Sequence, residues 1–370
     1  MKKGSVQAMS NHIVIRDLND AERDLLGIYG GKSGFKYGII LDGERWMVKF
    51  PESTKGFAGQ SKKNNHIPSY TTSPLSEYIG SHIYASVGIP VHETMLGYRN
   101  GKIVVACKDF DLNHEFIDFE KIRNSLEEME GTFLGSSGSS GFHGEFLRDA
   151  LTVIDHSELL RRTPGALERF WDMFVIDGFI RNNDRNNGNW GILAKKDGTL
   201  CMAPVFDNGN AFFNKRNPSV AARRLQDEES IAQDALGTSV SFFLTDDERH
   251  IHPFEYIESL QNQDCTDALL RFAEKLDMGK VWNIIDSIPE TAFGLNVISK
   301  EQKELYYRMM EVIVTRSINP TLERLGRSPV SLGRDESCVS LKEETRHARA
   351  ASQALENHVL SEPHTFDRER

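Results

Sequence analysis

The sequence is short of cysteine, of long apolar runs and of positive charge, and each shortage removes a class of protein. Only four cysteines occur in 370 residues: Cys107, Cys201, Cys265 and Cys338. They lie far apart with no metal-type spacing, so a disulfide framework is excluded and free thiols in a reducing compartment are expected. No stretch approaches the roughly 18 to 20 apolar residues that a membrane-spanning helix requires. The opening Met1-Lys2-Lys3-Gly4-Ser5 carries two lysines with no apolar core behind them, so no secretory signal is expected and the cytoplasm is the expected location. Against 44 Lys and Arg stand 54 Asp and Glu, a net charge of −10. That balance argues against direct binding to nucleic acid or to an anionic membrane, both of which need a basic face.

What is present describes an ordinary globular chain, 39% hydrophobic and 26% charged. Its length gives room for two lobes and a cleft. From residue 25 the pattern is strand, glycine turn, strand, tight turn, strand. Asp42-Gly43 separates β-prone residues 37–41 from 45–50, and Asp-Gly tolerates the positive φ angles of a hairpin turn. Residues 51–72 are polar and read as a loop. A helix is expected at Ser73-Pro74, with Ser73 as N-cap, Pro74 at the first helical position, and Leu75, Ile79, Ile83 and Val87 on one stripe. Gly88 ends it. Strands follow at 93–98 and 103–107 around Asn100-Gly101, then a charged helix over 112–130. Residues 135–141, GSSGSSG, read as a surface loop without function. Beyond them the chain is rich in helices, with one dense apolar helix running through Leu167, Phe170, Trp171, Phe174 and Gly178. A short hairpin is expected over 190–206, and the clearest late helix over 300–318, stopped by Asn319-Pro320. After about residue 330 the apolar stripe is lost, and a disordered tail is expected.

Two glycine-loop readings compete. Gly27-Ile28-Tyr29-Gly30-Gly31-Lys32-Ser33 ends like a P-loop, but that motif needs four residues between its first glycine and the Gly-Lys pair, and here there are three. A P-loop also opens a helix, whereas strand-like residues follow here. The alternative is a glycine turn between antiparallel strands, as in a kinase lid over ATP phosphates. It would place Gly30, Gly31, Lys32, Ser33 and Gly34 at the nucleotide; a plain hairpin turn remains the bland alternative. Alternation puts Trp46, Val48 and Phe50 on one strand face and Arg45, Met47 and Lys49 on the other. Lys49 is thus a candidate to neutralise phosphates, with Glu77 in the first turn of the next helix as its partner. A solvated lysine and a carboxylate favouring a helix N-terminus are the bland readings.

The sharpest signal is Asp184-Arg185-Asn186-Asn187-Gly188-Asn189, followed after the hairpin by Phe206-Asp207-Asn208-Gly209. Phosphoryl transfer needs a carboxylate beside the attacking hydroxyl and hard oxygen ligands for magnesium. Asp184 and Asn189 match the kinase spacing D-x-x-x-x-N, and Asp207 stands where a second metal-binding Asp belongs. Asp184 would orient or deprotonate the acceptor, while Asn189 and Asp207 would hold Mg²⁺. Each motif alone is an ordinary turn; the ordered set is not. The set implies an α+β, two-lobed, protein-kinase-like fold with a β-rich N-lobe carrying one helix and a larger helical C-lobe. The expected pieces are a lead-in at 1–24, the N-lobe at 25–107, a hinge and C-lobe at 108–330, and a tail at 331–370.

The stretches RWMVKFP, SEYIGSHIYASVGIPV, KIVVACKDF, FWDMFVIDGFIRNNDRNNGNWGIL and APVFDNGNAF together resemble the HipA-like kinases, in particular their compact CtkA-type branch, over roughly residues 25 to 320. The resemblance implies a bacterial Ser/Thr protein kinase, ATP with Mg²⁺, a protein hydroxyl as acceptor, and the role of toxin or effector. It implies that Asp184 is the catalytic Asp, that Asn189 and Asp207 hold the metal, and that Lys49 meets the phosphates. It makes Val105, Ala106, Cys107, Lys108, Asp109 and Phe110 the hinge that meets adenine through its backbone. Ser33 is then the loop serine that becomes autophosphorylated. Three departures stand out. Asn186 replaces the His of many relatives; the N-terminal part is too short to assume an antitoxin partner; and Asp-Asn-Gly replaces a Phe-containing metal triplet. A pseudokinase or ATP-dependent binding module, and a kinase of lipids or small alcohols, are the competing readings. The complete set of Lys49, Asp184, Asn189 and Asp207 disfavours the first of these.

Overall fold

The computed structural model describes residues 12–25, 27, 29, 35–52, 71–111, 114–130, 144–217 and 219–333. The chain divides into two units, residues 1–331 and 332–370, and of the second only residues 332 and 333 are described. The glycine loop at 30–34, most of the 51–72 loop, the GSSGSSG tract and the tail from 334 therefore lie outside the described residues.

The N-terminal part of the first unit is a six-stranded sheet built from β1 (Arg16–Asp17), β2 (Glu22–Asp24), β3 (Lys36–Leu41), β4 (Glu44–Lys49), β5 (Thr94–Arg99) and β6 (Lys102–Lys108), in the order β1-β5-β6-β4-β3-β2. Only β1 and β5 run parallel. The expected lead-in is corrected here. Residues 16–24 supply two strands, and Leu18 sits fully buried in the core with Tyr37, Ile39, Leu41, Trp46, Val48, Phe50, Val104 and Ala106. One leucine in a polar stretch gives no periodicity, which is why the sequence pattern passes it over. The expected alternation in β4 holds, since Trp46, Val48 and Phe50 all belong to that core. The opposite face, carrying Lys36, Met47, Lys49 and Cys107, is turned to the cleft.

Helix α1 (Ser73–Ser86) packs on β5 and β6. Thr72 rather than Ser73 is its N-cap residue, with Pro74 in the first turn. Leu75, Ile79, Ile83 and Val87 are all buried, and Gly88 leaves the helix with φ +79°, a conformation that glycine adopts without steric cost. Beyond β6 the expected helix over 112–130 is corrected. Residues His114–Asp118 form β7, and only Phe119–Glu130 are helical, as α2. The ladder explains it, because β7 pairs with β9 (Gly191–Lys195), which pairs in turn with β10 (Leu200–Met202). Tertiary pairing of this kind overrides local propensity.

The helical part follows: β8 (Glu145–Phe146), α3 (Leu147–His156), α4 (Glu158–Arg161) and the apolar α5 (Ala166–Ile180), which packs against α8 (Pro253–Ser259), α9 (Gln263–Lys275) and α11 (Lys300–Ile313). Between them lie α6 (Val220–Arg224), α7 (Glu228–Ala232) and α10 (Met278–Asp286). The expected stop at Asn319-Pro320 is also corrected. The backbone widens into five-residue turns over Val314–Ile318 and resumes as α12 (Asn319–Arg324), with Pro320 in its first turn. There the missing N–H costs nothing.

Candidate active site

Three short segments converge below the sheet. α5 ends in Arg181, at φ +60°, and opens into the loop 182–190. The β9–β10 hairpin then carries the chain to Asp207, itself at φ +59°. A non-glycine residue held in the left-handed region signals a conformation imposed by its surroundings, and such residues gather at functional sites. α1 approaches from the other side, with Ser76 Oγ donating to the Ala211 carbonyl (2.8 Å) and the Thr72 N–H to the Asn214 carbonyl (2.7 Å).

The sequence candidates Lys49, Glu77 and Asp207 meet. Lys49 Nζ donates to Glu77 Oε2 (2.8 Å) and to Asp207 Oδ1 (2.7 Å). Burial alone would lower the lysine's proton affinity, but Asp207 and then Glu77 outweigh it and hold the ammonium well above the ordinary range. Burial pushes Glu77 up in its turn; Lys49 and His92 outweigh that, and the carboxylate stays ionised far below its usual range.

Around this ion triad runs a ring of hydrogen bonds that the sequence reading missed. Glu77 Oε1 lies 3.0 Å from His92 Nε2 and accepts the Asn208 N–H at 3.0 Å. Asn208 Nδ2 donates to Ser81 Oγ (3.0 Å), and Asn208 Oδ1 accepts from Arg185 Nη2 (2.6 Å). Arg185 also grips Asp177 on α5, Nε to Oδ2 at 2.8 Å and Nη2 to Oδ1 at 2.9 Å. Its Nη1 donates to the carbonyls of Asn189 and Phe206. One guanidinium thus ties the loop after Asp184 to the loop around Asp207. Asn208 is fully buried, and Gly80 has no Cβ because one would stand 2.9 Å from Asn208 Cβ. The spacing of Ser81 four residues after Glu77 was a legible signal; nothing in sequence pointed to His92.

Asp184 is held differently. Its Oδ1 accepts from Asn186 Nδ2 (3.0 Å), its N–H donates to Asn182 Oδ1 (3.2 Å), and its carbonyl accepts from Asn189 Nδ2 (2.8 Å). Burial raises its proton affinity above the ordinary aspartate, the Asn186 bond opposes this, and the charge of Asp207 adds to it. With its amide nitrogen engaged, Asn189 keeps Oδ1 for a ligand, and Asp207 keeps Oδ2. An all-oxygen donor set suits a hard cation such as Mg²⁺.

Lys36 was not singled out by sequence. It stands directly opposite Lys49 in the β3–β4 ladder, so both side chains leave the same face of the sheet. It is half-buried, and its side chain makes no ion pair or hydrogen bond among the described residues. Burial and then Lys49 lower its proton affinity. Of the six hinge candidates, Val105, Ala106 and Cys107 are sealed inside the sheet. The N–H groups of Lys108 and Asp109 donate to the carbonyls of Glu93 and Arg45, the Asp109 carboxylate accepts from the Tyr29 hydroxyl at 2.9 Å, and Phe110 packs on Phe116 and Phe206.

Comparison with known proteins bears on this geometry. The family model described as the HipA-like C-terminal domain matches residues 31–275. The serine/threonine-protein kinase CtkA of Helicobacter pylori strain J99 is 33% identical over 287 residues, which is 76% of this chain and 80% of that protein. The crystal structure of the Helicobacter pylori proinflammatory kinase CtkA aligns with a TM-score of 0.71 at 30% identity, covering 84% of this chain and 98% of that one. HipA of Shewanella oneidensis MR-1, solved with HipB and operator DNA, aligns at a TM-score of 0.43 and 11% identity, over 82% of this chain and 68% of that one, too distant to bear on the site.

Proposed function

Because this chain belongs to the HipA-like kinase family and is a serine/threonine protein kinase, we propose that its cleft transfers the γ-phosphate of ATP to a protein hydroxyl through Asp184, Lys49, Asn189 and Asp207. The observation that carries this assignment is the Lys49 ammonium held at once by Glu77 and Asp207. A cation so placed is preset for phosphate oxygens and needs no rearrangement at the moment of reaction. Lys36 adds a second positive charge on the same face. Asp184 accepts the proton of the attacking hydroxyl, and its burial gives it more basicity than a free aspartate. Asp207 and Asn189 would hold magnesium, which when bound would supply positive charge against the phosphates. Lys108, Asp109 and Phe110 border the adenine end; the glycine loop expected to cover the phosphates, with Gly30, Gly31, Lys32 and Gly34, lies outside the described residues.

The acceptor is a protein, and a bacterial toxin or effector role accords with the family. The chain's own Ser33 is a second acceptor within the glycine loop. Phosphate there adds about −1.5 to −2 charges beside those of ATP and should drive the loop from the nucleotide. The test is labelled ATP with the purified chain, alone and with cell extract, followed by mass spectrometry of modified residues. Phosphoserine or phosphothreonine in extract proteins, absent with Asp184→Asn, is the expected result. Label confined to lipid or small alcohols would overturn the choice of acceptor.

A further inference from the structure

The inner end of the cleft holds a second donor cluster, chemically unlike the first. Glu77 from α1, His92 from the link between α1 and β5, and Cys107 from β6 bring a carboxylate oxygen, an imidazole nitrogen and a thiol within 4.8 Å of one another, all buried. The carboxylate and imidazole are already in contact at 3.0 Å, and Ser81 Oγ lies 3.3 Å from the same nitrogen. Cys107 is a free thiol with no hydrogen-bond partner among the described residues. Burial first, and Glu77 after it, keep that thiol protonated, against the pull of Lys49.

Donor chemistry sorts metals. Asp207 and Asn189 offer oxygen alone, which suits a hard cation, whereas oxygen, nitrogen and sulfur together select zinc and its neighbours. Zinc bonds of about 2.0–2.3 Å set tetrahedral ligand atoms about 3.3–3.8 Å apart. The Glu77–His92 pair would have to open slightly and the thiol close in, a modest local adjustment.

We propose that Glu77, His92 and Cys107 form a zinc-class site that turns the kinase off. On binding, the Cys107 thiol releases its proton to solvent and ligates as thiolate. His92 Nε2 presents its lone pair with the ring proton on Nδ1, and Glu77 Oε1 bonds the cation in place of His92. No electron changes hands. Two positive charges then stand one carboxylate away from the Lys49 ammonium. Lys49 stays on Glu77 Oε2, but the carboxylate's charge is then shared with the cation on Oε1, so Asp207 is left as the one undivided anion on Lys49 and the phosphate clamp loosens. This consequence rests on the kinase reading above; the metal binding does not.

The experiment uses the purified chain without nucleotide and Co²⁺ as the probe, since thiolate ligation gives a sulfur-to-cobalt charge-transfer absorption. One cobalt per chain is expected, displaced by Zn²⁺, with the absorption lost in Cys107→Ser. His92→Gln keeps a donor to Glu77 but should weaken the metal about tenfold or more, and it serves where Cys107→Ser does not fold. A parent without that absorption overturns the site. So does an absorption that survives both variants, which would belong to Cys201, Cys265 or Cys338. A second arm measures Mg·ATP affinity by calorimetry in buffered zinc. A loss of about tenfold, the scale of one charge-assisted hydrogen bond, is expected in the parent and not in His92→Gln against its own zinc-free value. An equal loss in both overturns the inhibition. Cobalt binding as described in a chain that binds no nucleotide under any condition leaves the metal site standing and overturns the kinase reading instead.

Discussion

The two sides of the cleft are built on opposite electrostatic plans. On the nucleotide side formal charge meets formal charge, with Lys49 between Glu77 and Asp207, and His92 Nε2 lies 3.0 Å from the same Glu77. On the acceptor side the Asp184 carboxylate makes no ion pair among the described residues and is bonded by the Asn186 amide, while the amides of Asn182 and Asn189 hold its backbone. The difference follows from what each side has to do. A phosphate clamp gains from charges fixed in advance, because fixed dipoles and ions need no reorganisation when charge moves. A group that must take a proton gains from having its charge left uncompensated, since a paired carboxylate is a weak base.

The comparison breaks most completely at Asp207. Asp207→Ala removes one of the two anions on Lys49 together with the proposed magnesium ligand, which water would not replace at equal strength. Mg·ATP binding and turnover should both disappear. Calorimetry that finds the variant binding Mg·ATP as tightly as the parent removes Asp207 from the metal site. Asp184→Asn should act on the other side alone, cutting turnover by about 10²-fold or more while nucleotide affinity stays near the parent value. A parallel fall in affinity would mean that the two sides are not separate. Asn208 sharpens the same point, because it belongs to neither plan and is bonded to both, through Glu77 and Ser81 above and Arg185 below. Asn208→Ala leaves Ser81 and Arg185 each short of a buried partner, which costs about 1–3 kcal/mol. The magnesium concentration for half-maximal rate should rise about tenfold or more, the scale of lost support around a metal ligand. A lower melting temperature with an unchanged magnesium requirement would reduce Asn208 to a packing role.

How much of this was legible in sequence differs between the same two sides. Lys49, Glu77, Asp184, Asn189 and Asp207 could be picked out because phosphoryl transfer restricts the residue types and the chain keeps them in order. Strand alternation also fixed which way Lys49 points. The supporting ring was illegible for a physical reason. Arg185 and Asn208 are each adjacent to a named residue, yet what they touch lies on other elements, and turn-forming residues such as Asn give no hint of a buried partner. His92 sits in a short link with no periodicity at all. Strand β7 was lost to a helix for the same reason, since its pairing partner β9 lies more than seventy residues on. Lys36 needed the register with Lys49, which is set by the hairpin and not by its own neighbours.

The finest test of the comparison lies in the amide beside Asp184. Burial raises the proton affinity of that carboxyl, the Asn186 hydrogen bond works against the rise, and the charge of Asp207 works with it. Protonated Asp184 cannot accept a proton from the hydroxyl, so turnover falls as pH drops through its folded value, which lies above the 3.8 of an ordinary aspartate. Asn186→Ala removes the opposing hydrogen bond, and the value should move further up. The acid limb of the kcat profile at saturating ATP should therefore shift to higher pH by up to about one unit, a factor of up to about ten in rate on that limb. The plateau should change little. Asn186 also accepts the Gly188 N–H at 3.0 Å, so Asn186→Ala loosens the loop as well as removing a donor. Asn186→Asp separates the two effects, because it keeps an acceptor for Gly188 while placing a like charge beside Asp184. Its acid limb should move further than that of Asn186→Ala. A limb that stays in place in both variants would mean that the titrating group is not Asp184, and an amide-held base would give way to a second charged pair on the acceptor side.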